Sequence, residues 1–284
     1  MSPARVSGDP DLSPVHTALA AHARRMRRNI IRMTSAAGSG HPGPSFSPVE
    51  ILAVLYFAEM RVDPHHPDWP ERDRFVLSKG HAAPGLYAAL YEAGFFSEET
   101  MLSLRQLGSP LQGHPHVKTP GVEATSGSLG IGLSQAVGMA LGLKRKGNPA
   151  RVYALVGDGE CDEGQIWEAA LAGAHFGLGN LVVFIDHNGY QYDGRVSEVM
   201  GLAPLGDKWR SFGWRVEEFG GHEFGEICGF LERSRKSPEQ PSLAVAHTIK
   251  GHGVSFMEGS QEYHARCLTA EEARRALAEL EAQG

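Results

Sequence analysis

Two short turns carry the clearest chemical signal in the sequence. Gly157-Asp158-Gly159 closes an apolar run from Val152 to Val156, and Asp186-His187-Asn188-Gly189 closes a second from Leu181 to Ile185. Glycines beside Asp158 let the backbone turn sharply and approach a ligand with no side chain in the way. A carboxylate from Asp158, an amide oxygen from Asn188 and a nearby backbone carbonyl make a partial shell of hard oxygen donors. Such a shell suits Mg²⁺ or Ca²⁺, with phosphate oxygens and water completing the coordination.

The segments between the two turns explain how they could meet. Both apolar runs are short and β-rich, as buried strands are. Between them Ile166, Trp167, Ala170, Leu171 and Ala174 recur at helical spacing. A strand-helix-strand unit with parallel strands puts both strand ends at one carboxyl edge, where open α/β sheets bind ligands. One Gly-Asp-Gly alone is usually only a turn; the pair, joined in this way, is more specific. Loops elsewhere add His41, His81, His114 and His264. A loop histidine at a ligand edge can donate to a phosphate or a hydroxyl and can move protons near neutrality, although any one of them alone reads as an ordinary surface or structural residue.

Composition narrows the classes. The chain has 284 residues, 42% hydrophobic and 21% charged, with a net charge of -6, an ordinary globular balance that allows one large α/β domain or two small ones. No basic patch interleaved with aromatics suggests nucleic acid; Arg24, Arg25, Arg27 and Arg28 read as a solvated helix face or a subunit contact. Cys161, Cys228 and Cys267 imply no disulfide framework. The polar, proline-bearing start is not a signal peptide, and the apolar stretches are too short to span a bilayer. A cytoplasmic protein without membrane or nucleic-acid partners is expected.

In chain order, residues 1–14 read as a flexible tail and 15–284 as one domain. Helices are expected over 16–37, ending at Gly38-Ser39-Gly40, from Ser47-Pro48 through Phe57, from about Pro84, over 98–107, up to Lys146 after a glycine-rich start at Gly127, and over 207–213, 222–236 and 269–280, the last capped by Thr269. His41-Pro42-Gly43-Pro44 and 63–73 read as loops. Strands are expected at 74–77, 214–219 and 242–248 besides the two already named. Alternating strands and helices indicate a single doubly wound α/β fold, a parallel sheet with helices on both faces.

Gly-Asp-Gly-Glu followed by Asn188-Gly189-Tyr190 resembles the thiamine diphosphate motif of transketolase-like enzymes. Five further segments fit that family in order: SGHPG around His41, LSKGHA around His81, LQGHP around His114, GVEATSGSLGIG from Gly121 to Gly132, and EYHA at His264. The resemblance covers about residues 16–268. It implies a thiamine diphosphate-binding fold with Asp158, Asn188 and the Tyr190 carbonyl holding Mg²⁺ or Ca²⁺. It implies that Gly157, Gly159, Gly127 and Leu129 lie against the cofactor, that His81 and His264 contact the diphosphate and aid proton traffic, and that His41 and His114 contact the donor. The glycine loop is not a dinucleotide fingerprint, because Gln135 stands where a third glycine would. Departures from the family are His187, Ser128, Ile131 and Ala265. Glu163 and Glu168 match an acidic cluster that bridges to a partner domain in the family, and they also read as solvated helix carboxylates.

The resemblance is to the amino-terminal, diphosphate-binding half only, with no residue here to activate the cofactor's pyrimidine ring. It implies transfer of a two-carbon ketol unit from a ketose or ketose phosphate to an aldehyde. It also implies a separate carboxy-terminal subunit carrying the pyrimidine domain, in an α2β2 assembly. Other readings stay open: a component of an acyloin-forming enzyme or a 2-oxo-acid dehydrogenase, a catalytically silent regulatory subunit, or a zinc protein using His65-His66 or His114/His116, whose spacings match no known zinc motif.

Overall fold

The computed structural model describes residues 14–283. The expected tail, residues 1–14, lies outside them except for Pro14. Among the described residues the strands are β1 (Arg74–Leu77), β2 (Val152–Gly157), β3 (Leu181–His187), β4 (Arg215–Gly220) and β5 (Ser242–His247). They form one sheet in the order β1-β2-β3-β5-β4, with every neighbouring pair parallel. Parallel central strands are covered on both faces and so read as near-continuous apolar runs. Alternation divides each run between two cores: Tyr153, Leu155, Val182 and Phe184 face one, and Ala154, Val156, Val183 and Ile185 the other.

The first core is covered by α1 (Pro14–Ala37), α2 (Pro42–Phe46), α3 (Val49–Val54), α4 (Ala83–Glu92), α5 (Glu98–Leu102) and, later in the chain, by residues 224–234 and 270–282. The second is covered by α6 (Ile131–Arg145), α7 (Gly164–His175) and residues 205–211. The other α-helices among the described residues are α8 (Val196–Val199), α9 (Leu205–Ser211), α10 (Phe224–Ser234) and α11 (Ala270–Ala282). Thr269 caps α11 in a reciprocal capping box with Glu272, which satisfies two donors at the helix start.

Two expectations change. His41-Pro42-Gly43-Pro44 is not a loop; α2 begins at Pro42. Prolines fit a first helical turn because the N–H they lack would have no partner inside the helix there, and Ser45 Oγ donates to the His41 carbonyl at 2.7 Å. The helix expected over 98–107 stops at Leu102, since Arg105 takes a left-handed conformation, φ 60°, that a helix cannot continue. No helix among the described residues is long and apolar enough to cross a membrane.

Candidate functional site

A cavity of about 270 Å³ opens at the carboxyl edge of the sheet. The strand register assembles it. Gly157 pairs with Asp186 across β2 and β3, so Asp158 and Asn188 leave adjacent strands side by side. The end of β1 supplies Lys79 and His81, the stretch before α6 supplies Gly127 and Leu129, and loops bring in His41, His114 and His264. Every residue nominated for the site from the sequence, including Gly157, Gly159 and Tyr190, lines this one space.

Charge is arranged in layers. Asp186 is fully buried and accepts from Ser47 Oγ at 2.6 Å, from Asn188 Nδ2 at 3.2 Å, and from Lys79 Nζ and Thr248 Oγ1. Burial opposes its ionisation, but the Lys79 ammonium and these donors outweigh it and hold the carboxyl below its usual range. Asp158 is 3% exposed and accepts only backbone N–H groups, from Gly189 at 2.6 Å and Gly159 at 2.9 Å. Burial, with the Asp186 charge nearby, pushes it up to about 7. One carboxylate is therefore compensated and the other is not.

The histidines are close and uncharged. The His41, His81 and His264 ring centroids lie 5.3–5.9 Å apart. Burial and neighbouring cations lower all three, to about 4 for His41 and about 3 for His264, and burial with Arg105 also lowers His114. Lys250 Nζ donates to His264 Nδ1 at 2.7 Å, which leaves the ring proton on Nε2. Neutral imidazoles offer one donor and one acceptor each, the pairing that a hydroxyl or carbonyl group can match.

The family model described as the transketolase thiamine diphosphate binding domain matches residues 18–282. The chain belongs to the transketolase family. It is 46% identical over 260 residues to a 6-deoxy-6-sulfo-D-fructose transketolase subunit of Clostridium sp. (strain MSTE9), covering 91% of this chain and 94% of that protein. It is 42% identical to an apulose-4-phosphate transketolase subunit of Phocaeicola vulgatus, covering 89% and 90%. The transketolase of Campylobacter jejuni superposes with a TM-score of 0.88 at 32% identity, over 93% of this chain but 43% of that one.

The residues present fit the transketolase cofactor. Asp158 is a buried carboxylate with no ion-pair partner among the described residues, and Asn188 adds an amide oxygen: hard donors suited to a divalent cation. His41 Nδ1 is buried and unpartnered. Glycines also let the segments around the cavity pack closely against one another. A Cβ on Gly80 would meet the Gly127 nitrogen at 2.9 Å, and one on Gly159 would meet the Gln191 Cβ at 2.7 Å.

Several residues in or beside the cavity escaped the sequence reading. Lys79 and Lys250 both stand in Lys-Gly-His at a strand end, a repeated signal that could have exposed them. Glu160 accepts from Ser78 Oγ at 2.6 Å, from the Gly130 N–H at 2.8 Å and from the Gly157 N–H at 3.0 Å, tying β1, the glycine loop and β2 together. Glu163 and Glu168 are solvent-exposed at the start and along the side of α7.

Glu50, His222 and His252 form the one group of three whose ligand atoms, within 4.8 Å of one another among the described residues, could hold an ion. The group is closed by Arg27, which donates to both Glu50 oxygens at 2.6 and 2.9 Å. The Ile249 N–H donates to His222 Nε2 at 2.9 Å, so His222 Nδ1 carries the proton and donates to Glu50 at 2.8 Å. Arg27 Nε also donates to the His252 carbonyl at 2.8 Å. This is a lock on the loop bearing Lys250. Neither His65-His66 nor His114/His116 belongs to such a group.

Proposed function

We propose that this chain is the diphosphate-binding subunit of a two-subunit transketolase. It passes a two-carbon ketol unit from a ketose or ketose phosphate to an aldehyde, and it works with a separate subunit carrying the pyrimidine domain, as α2β2. The single observation that carries the reading is the cavity at the ends of β1, β2 and β3. There an uncompensated buried Asp158, Asn188 and four neutral histidines converge. The 94% and 90% coverage of relatives named as subunits supports the partner.

In this reading Asp158, Asn188 and the Tyr190 carbonyl hold Mg²⁺ or Ca²⁺, and the metal bears the diphosphate. Gly157, Gly159, Gly127 and Leu129 permit close approach of the cofactor. His81 and His264 face the diphosphate and the reacting end, where His264 Nε2–H is placed to give a proton and Lys250 fixes its tautomer. His41 and His114 hold the donor's hydroxyls. Thiamine diphosphate, when bound, supplies the electron sink for breaking a carbon–carbon bond beside a carbonyl; the protein positions groups and moves protons. Free thiols at Cys161, Cys228 and Cys267 fit a reducing, cytoplasmic setting.

The test is ketol transfer by the purified chain with thiamine diphosphate and Mg²⁺, before and after addition of a candidate companion subunit. Turnover only in the mixture is expected. Full turnover by the chain alone removes the partner from the proposal.

A further inference from the structure

Arg105 has an unusual setting. It is a non-glycine residue at φ 60°, and its N–H donates to the Leu111 carbonyl at 2.8 Å, closing the loop between them. It forms no ion pair with a carboxylate among the described residues. Instead Nη1 donates to Ser39 Oγ at 2.5 Å, two residues before His41. On its other side the guanidinium lies against Gly113, the residue before His114. A Cβ there would sit 2.9 Å from Nη2 and 3.0 Å from Cζ and Nε. The buried Tyr87 hydroxyl braces the same loop from beneath, within 3.0 Å of the Gln112 carbonyl and 3.2 Å of the His114 carbonyl.

We propose that Arg105 is a positioning residue for the donor end of the cavity, its guanidinium clasping the Ser39–His41 and Gly113–His114 loops so that the two imidazoles stand at one fixed spacing. The left-handed backbone is explained by this task, since it turns the side chain away from solvent and between the loops. A flat guanidinium at this distance requires a residue without a side chain at position 113, and glycine meets that need. The charge has a second effect. His41 is faced by Arg105, His114, Lys250, His81 and His264, and His114 by Arg105, His41 and His81. After burial, Arg105 is the largest influence keeping each of them unprotonated. The inference rests on reading His41 and His114 as donor contacts.

The experiment uses Arg105→Gln, Arg105→Lys and Gly113→Ala. In the assembled enzyme Arg105→Gln should raise the donor KM about tenfold or more, while thiamine diphosphate affinity by calorimetry stays within about twofold of wild type. Gly113→Ala keeps the arginine but pushes it off its seat, and should reproduce the KM rise. Arg105→Lys restores the charge without the planar fork, so it should recover the histidine titrations but only part of the KM. On the chain alone, NMR titration of the His41 and His114 ring protons, assigned with single His→Asn variants, should show both midpoints rising by about half a unit or more in Arg105→Gln. That arm needs no turnover, so it judges the clasp even if the ketol-transfer reading fails. Unmoved midpoints, or a fall in cofactor affinity and stability with the donor KM unchanged, overturn the proposal.

Discussion

Replacing Glu50 by Ala should destabilise the fold by about 3 kcal/mol at neutral pH, and the structure says where that figure comes from. Glu50 is 5% exposed, so solvent screening gives little relief. Burial alone would raise its carboxyl, but the Arg27 guanidinium and the His222 ring reverse this and hold it at about 2 instead of its ordinary 4.5. At about 1.4 kcal/mol per unit, that shift is worth about 3 kcal/mol. It matches the roughly 3–5 kcal/mol expected when one partner of a buried pair is removed and the other charge is stranded. Because the folded carboxyl is held low, the stabilisation is complete above pH 4.5 and drains away as pH falls toward 2. The gap between wild type and Glu50→Ala should therefore shrink to less than half its neutral value at pH 3. Urea unfolding at pH 7 and pH 3 measures both numbers, and thermal scans at pH 7 should show a drop of roughly 5–10 °C. Arg27→Met combined with Glu50→Leu should cost less than Glu50→Ala alone, since no charge is then left unpaired. A gap below about 1 kcal/mol at pH 7, or one that does not narrow at pH 3, would refute the lock.

Two substitutions in the cavity should separate cofactor binding from catalysis. Asp158→Ala should weaken Mg²⁺-dependent thiamine diphosphate binding by more than about a hundredfold without lowering thermal stability, because it deletes a buried carboxylate that has no ion-pair partner among the described residues; calorimetry with unchanged affinity would remove Asp158 from the metal shell. His114→Ala should reduce kcat/KM for the donor by about 10²-fold or more with cofactor affinity nearly intact, and steady-state kinetics at saturating cofactor would expose the reverse pattern.

The sheet and the cavity were largely legible because parallel strands announce themselves as apolar runs, and the residues after them carry the chemistry. Gly157-Asp158-Gly159 and Asn188 could be brought together on paper from the strand-helix-strand pattern alone. What stayed hidden depends on contacts distant in sequence. Lys79 looks like any surface lysine until β1 is laid beside β2 and β3, when it meets Asp186 from 107 positions away. Lys250 gains meaning only when its loop returns beside His264. The placement of β5 between β3 and β4 is set by packing, not by any local signal. The prolines of α2 misled because the same residues that break a helix interior also fit its first turn.

The register between β2 and β3 limits how the gene can change. Asp158 and Asn188 keep their separation because Gly157 and Asp186 are paired neighbours, so the sheet itself is the ruler between the two turns. Deleting one residue inside β3 would exchange the faces of every side chain after it, sending Phe184 and Ile185 to the wrong cores and turning Asn188 away from Asp158 in one stroke. The outer part of the 63–73 loop, residues 65–71, has no such tie to the site and can gain or lose residues at small cost. Length variation among functional versions of this chain should therefore gather in such outer connections and be absent between Val152 and Gly157 and between Leu181 and Asn188.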